Sequence, residues 1–151
     1  MKKFQFRLET LKRVRERKVD LHSIEVDSRR NQRNQEKERL VKIEEHEKES
    51  FDQRRVALQQ SNADEMFAWE VYTTHVSNQR QQQEDKLYDA EENLKVSTKK
   101  LVKSLQEKQV VSKYRERKFS EYSNELVHDE QKELDEVANN LMINKTNGKD
   151  R

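Results

Sequence analysis

The chain contains no proline, and its only glycine is Gly148, close to the end of its 151 residues. The two residues that most often stop helices and make tight turns are thus absent from nearly the whole sequence. Long uninterrupted helices and disorder are the two outcomes left open. Charged residues make up 41% of the chain and apolar ones 30%, too little apolar surface to close a globular core around a domain of this length. A compact enzyme is therefore not expected. Disordered segments are usually rich in proline and glycine, so their absence favours helices whose apolar residues form narrow seams with charge on the outer faces.

Periodicity supports that choice. From Leu87, steps of alternately three and four residues pick out Ala90, Leu94, Ser97 and Leu101, and further on Val111 and Tyr122, the spacing of a two-helix seam. Beyond Leu101 a second pattern runs through Leu105, Phe119, Tyr122, Leu126, Leu134, Val137 and Leu141, which suggests a local shift toward an eleven-residue repeat. The first half is sparser: Phe4, Leu8, Leu11, Val14, Leu21 and Ile24, then a polar gap to Leu40, Ile43, Phe51 and Leu58. The seam is expected to be weak near "RRNQRNQEKE".

A turn can be placed without glycine or proline. In "QQSNADEMFAWE", residues 59 to 70, Ser61 precedes Asp64 by three and Asn62 precedes Glu65 by three, the pattern of a helix N-cap with an acidic residue three positions on. This predicts a helix over about 5–59, a turn at about 60–63, a longer helix over about 64–142 and a disordered tail from 143 to 151. The helices would run roughly 80 and 120 Å. An antiparallel two-helix coiled-coil hairpin and one continuous helix in a parallel dimer both remain compatible with these residues. In the hairpin, residues whose numbers total about 123 face each other. Phe51 then meets Tyr72, Leu11 meets the region of Val111, and Phe4 lies near Phe119.

Charge is uneven although the totals, 32 basic and 30 acidic, nearly cancel. Residues 1–19 carry eight basic and two acidic side chains, and residues 121–138 carry one basic and seven acidic. Nucleic-acid binding through Lys2 to Lys18 is one alternative, but glutamates interrupt the segment and the acidic stretch would repel phosphates. A general coiled-coil adaptor is another. With no cysteine there is no disulfide framework or thiol chemistry. His46 and His75 could approach across a hairpin, yet two imidazoles without an acidic or thiolate ligand make a poor zinc site, and no metal or other cofactor is expected. No glycine-rich loop exists to hold a nucleotide, and a two-helix pair offers no enclosed pocket for catalysis. "MKKFQFRLETLK" lacks the apolar run of a signal peptide, and no stretch approaches the roughly 20 apolar residues of a membrane span; a cytoplasmic chain without direct membrane insertion is expected.

Four blocks carry a resemblance: "FQFRLETLKRVRERKVD", the pair Trp69 and Tyr72, "KYRERKFSEY", and "EQKELDEVA". Their order and extent resemble the flagellar export family FliJ. The resemblance implies an antiparallel two-helix coiled coil similar to the central stalk subunit of rotary ATPases, and so favours the hairpin. It further implies a non-enzymatic part of the flagellar type III export apparatus, at the inner-membrane export machinery. The partners implied are the hexameric export ATPase, the cytoplasmic domain of the export gate membrane protein, and export chaperones, with no nucleic acid. By position, the ring-facing residues would be Arg13, Arg15, Arg17, Lys18, Arg115, Arg117, Lys118, Gln131, Lys132, Asp135 and Glu136. Those facing the gate would be Ile43, His46, Tyr72, His75 and Gln79. His46, His75 and Gln79 stand where relatives carry aromatic or apolar residues, so this tip is more polar than theirs.

Overall fold

A computed structural model describes residues 3–60 and 62–147. Two helices account for nearly all of them, α1 over Glu9–Gln59 and α2 over Ala63–Asn147, and no strand occurs among the described residues. The turn lies where the capping pattern puts it. The Gln60 N–H donates to the Val56 carbonyl at 3.1 Å to close α1, and the Met66 N–H donates to the Asn62 carbonyl at 3.0 Å to open α2. Asn62 caps α2: its Oδ1 accepts the Glu65 N–H at 3.2 Å, and its Nδ2 donates to Glu65 Oε2 at 3.0 Å. Asp64 and Glu65 in the first turn also suit the positive end of the helix dipole. The alternative cap, Ser61 with Asp64, falls on a residue outside the described ones.

Both outer helix ends differ from expectation. α1 starts at Glu9 instead of near residue 5, with the Glu9 N–H donating to the Phe6 carbonyl at 3.1 Å and Lys12 to Leu8 at 2.9 Å. Phe4 and Phe6 are spaced by two, the period of extended chain, and both rings lie against α2, so the segment before Glu9 leaves the helical path to bury them. α2 runs on through Asn147, with no glycine or proline before Gly148 to stop it. The rest of the expected tail, 148–151, lies outside the described residues.

The chain divides into two compact units, Arg17–Leu105 and Met1–Glu16 with Gln106–Arg151. In the first, Arg54 pairs with Glu70, Glu47 with Ser77 and Arg80, Glu36 with Gln83, Glu25 with Ser97, and His22 with Ser104. Numbers rise on α1 as they fall on α2, so the helices are antiparallel. In the second unit Arg15 pairs with Glu107, Glu9 with Arg115, and Phe4 with Phe119, in the same sense. Each of these pairs totals roughly 123, the expected register.

The α2 seam is as read from the sequence: Leu87, Ala90, Leu94, Ser97, Leu101, Val111 and Tyr122 are all buried or half-buried. The α1 seam is not. Leu8, Leu40 and Ile43 are half-buried, but Leu11, Val14, Leu21, Ile24, Phe51 and Leu58 are exposed. Two heptad rows take their place, one through Val19, Val26, Arg33, Leu40 and Glu47, the other through Arg15, His22, Glu36, Ile43, Ser50 and Ala57, all buried or half-buried. Polar side chains hold many of these positions because their aliphatic stems can cover the seam while the head groups reach its edge. The extended pattern on α2 is also corrected, since Leu105, Leu134, Val137 and Leu141 are exposed. Phe51 and Tyr72, expected to meet, are both exposed, and the Tyr72 ring lies 5.6 Å from that of Trp69.

Small polar residues make the seam close. Ser50, Thr73, Ser97 and Ser104 are buried. Ser50 donates to the Glu47 carbonyl at 2.7 Å, Thr73 to Glu70 at 2.9 Å, Ser104 to Lys100 at 3.0 Å, and Ser97 to Glu25 Oε1 at 3.1 Å. A satisfied hydroxyl is buried at small cost, whereas an unsatisfied one costs about 1–3 kcal/mol.

Candidate interaction surfaces

In the unit formed by Met1–Glu16 with Gln106–Arg151, four of the expected ring-facing cations are already engaged. Arg15 pairs with Glu107 across the helices. Arg115 Nε lies 3.6 Å from Glu9 Oε2, and its guanidinium sits 5.9 Å from the centre of the Phe4 ring. Arg117 and Lys118 share Glu121 at 3.1 and 2.6 Å. The hydrogen bond from Lys118 is the main reason the Glu121 carboxyl is held below its ordinary pKa, and Glu121 in turn raises Lys118. Arg13 is exposed, and so are Gln131, Lys132, Asp135 and Glu136, on a stretch of α2 from 127 to 142 where every residue is exposed. Lys132 lies 3.9 Å from Asp129. Arg17, exposed, and Lys18, half-buried, belong to the other unit.

The unit Arg17–Leu105 carries a groove beside the turn, about 790 Å³ in volume, lined by His46, Glu49, Ser50 and Gln53 from α1 and Ala68, Trp69 and Tyr72 from α2. The Trp69 and Tyr72 rings meet edge to face at 82°, an arrangement that stabilises both orientations. Of the five residues expected to face the gate, His46 and Tyr72 line this groove. Ile43 is half-buried on the seam, and His75 and Gln79 are exposed outside the lining. Glu49, Gln53 and Trp69 were not among the expected residues. Trp69 stands three residues before Tyr72 and Glu49 three after His46, a helical spacing that could have signalled both.

The remaining polar clusters of this unit serve the seam. Gln83 Nε2 donates to the Glu36 carbonyl at 3.1 Å and to its Oε2 at 2.5 Å, which is the largest cause of a lowered Glu36 pKa, followed by Arg39. Glu25 is lowered first by the Ser97 hydroxyl and then by Lys100 and His22. The Ser104 proton is directed to the Lys100 carbonyl, so His22 Nδ1, 2.7 Å from Ser104 Oγ, acts as donor. Among the described residues no group of three or more histidine, cysteine or acidic side chains could hold a metal ion, and no helix is long and apolar enough to cross a membrane. The surfaces present aromatic rings and paired charges in open grooves, chemistry that suits the binding of other proteins.

Residues 4–147 match the family described as flagellar FliJ protein, from the Phe4 that begins the packed N-terminal segment to the last residue of α2. The chain belongs to the FliJ family. Membership associates it with flagellar protein export, in which FliJ proteins are non-enzymatic, cytoplasmic components. Neither the curated proteins nor the solved structures yield a match to this chain. The paired helices and the four blocks that suggested FliJ lie within the matched span.

Proposed function

We propose that this FliJ-family chain docks with its terminal unit in the ring of the hexameric flagellar export ATPase, promotes ring assembly and activity, and links the ring to the export gate through the groove beside its turn. Escort of export chaperones belongs to the same reading. The observation that carries it is the family match over 4–147 together with the exposed and mostly polar stretch 127–142 on α2. Six copies of one loop can meet a single asymmetric helix pair only through adaptable polar contacts, which charged side chains provide better than a hydrophobic patch.

The test is stimulation of the purified ATPase. Because Arg15 and Arg115 are paired across the helices, the charge reversals belong at exposed positions of the terminal unit: Arg13→Glu, Arg117→Glu and Lys132→Glu combined. Stimulation should be lost with helix content kept, and in the parent it should decline with salt, since partly exposed charges are screened over about 8 Å at physiological ionic strength. A triple variant that stimulates as well as the parent sinks the ring reading and leaves a general adaptor.

A further inference from the structure

The N-terminal segment and the groove it borders are not explained by exposed charge alone. Residues 3–8 are not helical, yet they are seated on α2 by aromatic contacts. The Phe4 ring lies 5.3 Å from Phe119 and 5.5 Å from Tyr122, and Phe6 lies 6.1 Å from Tyr114. Two cations complete the arrangement, Arg115 over Phe4 and Lys118 over Tyr114, each 5.9 Å from the ring centre. Beside this segment runs a groove of about 1260 Å³. One wall is the segment itself, with Lys3 and Arg7; the other is α2, where Leu126 is followed by Asp129, Glu130 and Glu133. Beyond it the helix is exposed on every side, with Val127, Leu134, Val137 and Leu141 uncovered.

We propose that residues 3–8 are a displaceable cover on α2, and that the α2 face they cover, with the acidic wall beside it, is a docking site for a partner segment alternating cationic and aromatic side chains. The occupant is defined by what already sits there. "KFQFR", residues 3 to 7, places aromatic rings on the Tyr114, Phe119 and Tyr122 face while its basic ends flank an acidic wall. A partner of the same chemistry finds the same rings and carboxylates, and the uncovered stripe beyond gives it more to bind than the cover has. The cover is held by a few ring contacts, each contributing about 0.5–1.5 kcal/mol, within reach of displacement by a partner that adds more. The segment precedes α1, so its release leaves the helices intact. The proposal does not depend on entry into an ATPase ring.

A fluorescent peptide with the sequence of residues 3–12, titrated into the full-length chain, tests it. Binding to a Phe4→Ala, Phe6→Ala variant should be at least about tenfold tighter than to the parent, because the cover no longer competes. Adding Glu130→Lys and Glu133→Lys to that variant should reverse the gain, as should replacing both phenylalanines of the peptide by alanine. Circular dichroism should report the same helix content in every variant. Equal binding to parent and uncovered variant, binding to neither, or undiminished binding of the alanine peptide overturns the proposal.

Discussion

The phase of the α1 seam can be decided by comparing three substitutions in the unit Arg17–Leu105. Val26 is 5% exposed, whereas Leu21 and Ile24, the larger side chains, are 66% and 67% exposed. Val26→Ala removes about two methylene equivalents from a buried site, about 1.6 kcal/mol at roughly 0.8 each, and leaves a cavity that adds to the loss. The better helix propensity of alanine returns about half a kcal/mol, so a net cost of about 1–2 kcal/mol is expected. Leu21→Ala removes about three equivalents, but only about a third of that surface is out of water, and the propensity gain again offsets part of it, leaving about 0.5 kcal/mol. Ile24→Ala should fall at or below that value. Urea titrations followed by circular dichroism measure all three, and each kcal/mol should shift Tm by about 2–4 °C in a chain of this size. If Leu21→Ala or Ile24→Ala costs as much as Val26→Ala at low protein concentration, α1 packs on another face and the seam described above is wrong. A cost that grows with concentration would instead place those residues in self-association.

Three further outcomes follow from named contacts. Asn62→Ala should cost about 1 kcal/mol through loss of the α2 cap, with Asn62→Asp retaining most of the stability because it keeps the acceptor for the Glu65 N–H; thermal melts distinguish them. Glu25 has a lowered folded pKa, so its contribution is full above the unfolded value of about 4.3 and is lost as pH falls through the lower folded one. Ser97→Ala removes the main cause of that shift, and the variant should lose stability less steeply than the parent between about pH 5 and 3. At the groove beside the turn, Trp69→Ala with Tyr72→Ala should weaken binding to the gate protein, and His75→Ala should leave it nearly unchanged, as read by pull-down with the gate's cytoplasmic domain. Equal losses from the two variants would move the contact out of the groove.

How much of this was legible follows from which residues act locally. Asn62 and Glu65 are three apart and cap α2 in the expected way, and once the turn is fixed the register follows by counting, which is why Phe4 meets Phe119. The α2 seam is read correctly because Leu87, Leu94 and Leu101 repeat at the heptad itself. On α1 the large apolar residues point the wrong way: Leu21 and Ile24 face solvent, while Arg33, Glu36 and Glu47 take seam positions, the carboxylates of Glu36 and Glu47 paired with Gln83 and Arg80. A hydrophobic pattern cannot reveal a seam built from arginine stems and serines. Arg15 and Arg115, given to the ring face by the resemblance, are paired with Glu107 and Glu9, contacts that become visible only once the helix phase is known. Phe4 and Phe6 are two apart, a spacing that the helical reading of this segment overlooks, so α1 starts at Glu9 and not near residue 5.

A polar seam has a physical consequence that an apolar one lacks. Leucines facing leucines tolerate a slip of one heptad, because each still meets another apolar group. Here a slip would separate Gln83 from Glu36 and Ser97 from Glu25, and a buried amide or hydroxyl left without a partner costs about 1–3 kcal/mol. With several such groups along the unit, the penalties add up, so the polar pairs hold along the helices the register that the turn begins. The surfaces inherit that register. A shift of seven residues would part His46 from Tyr72 and break up the groove beside the turn, and the same shift in the terminal unit would take Phe4 from Phe119 and Tyr122. Replacing Gln83 with leucine, which keeps the size and removes the bonds, should therefore broaden the distribution of distances between spin labels on the exposed sites Lys42 and Gln79, even though the seam becomes more apolar. An unchanged, narrow distribution would mean that the turn alone sets the register.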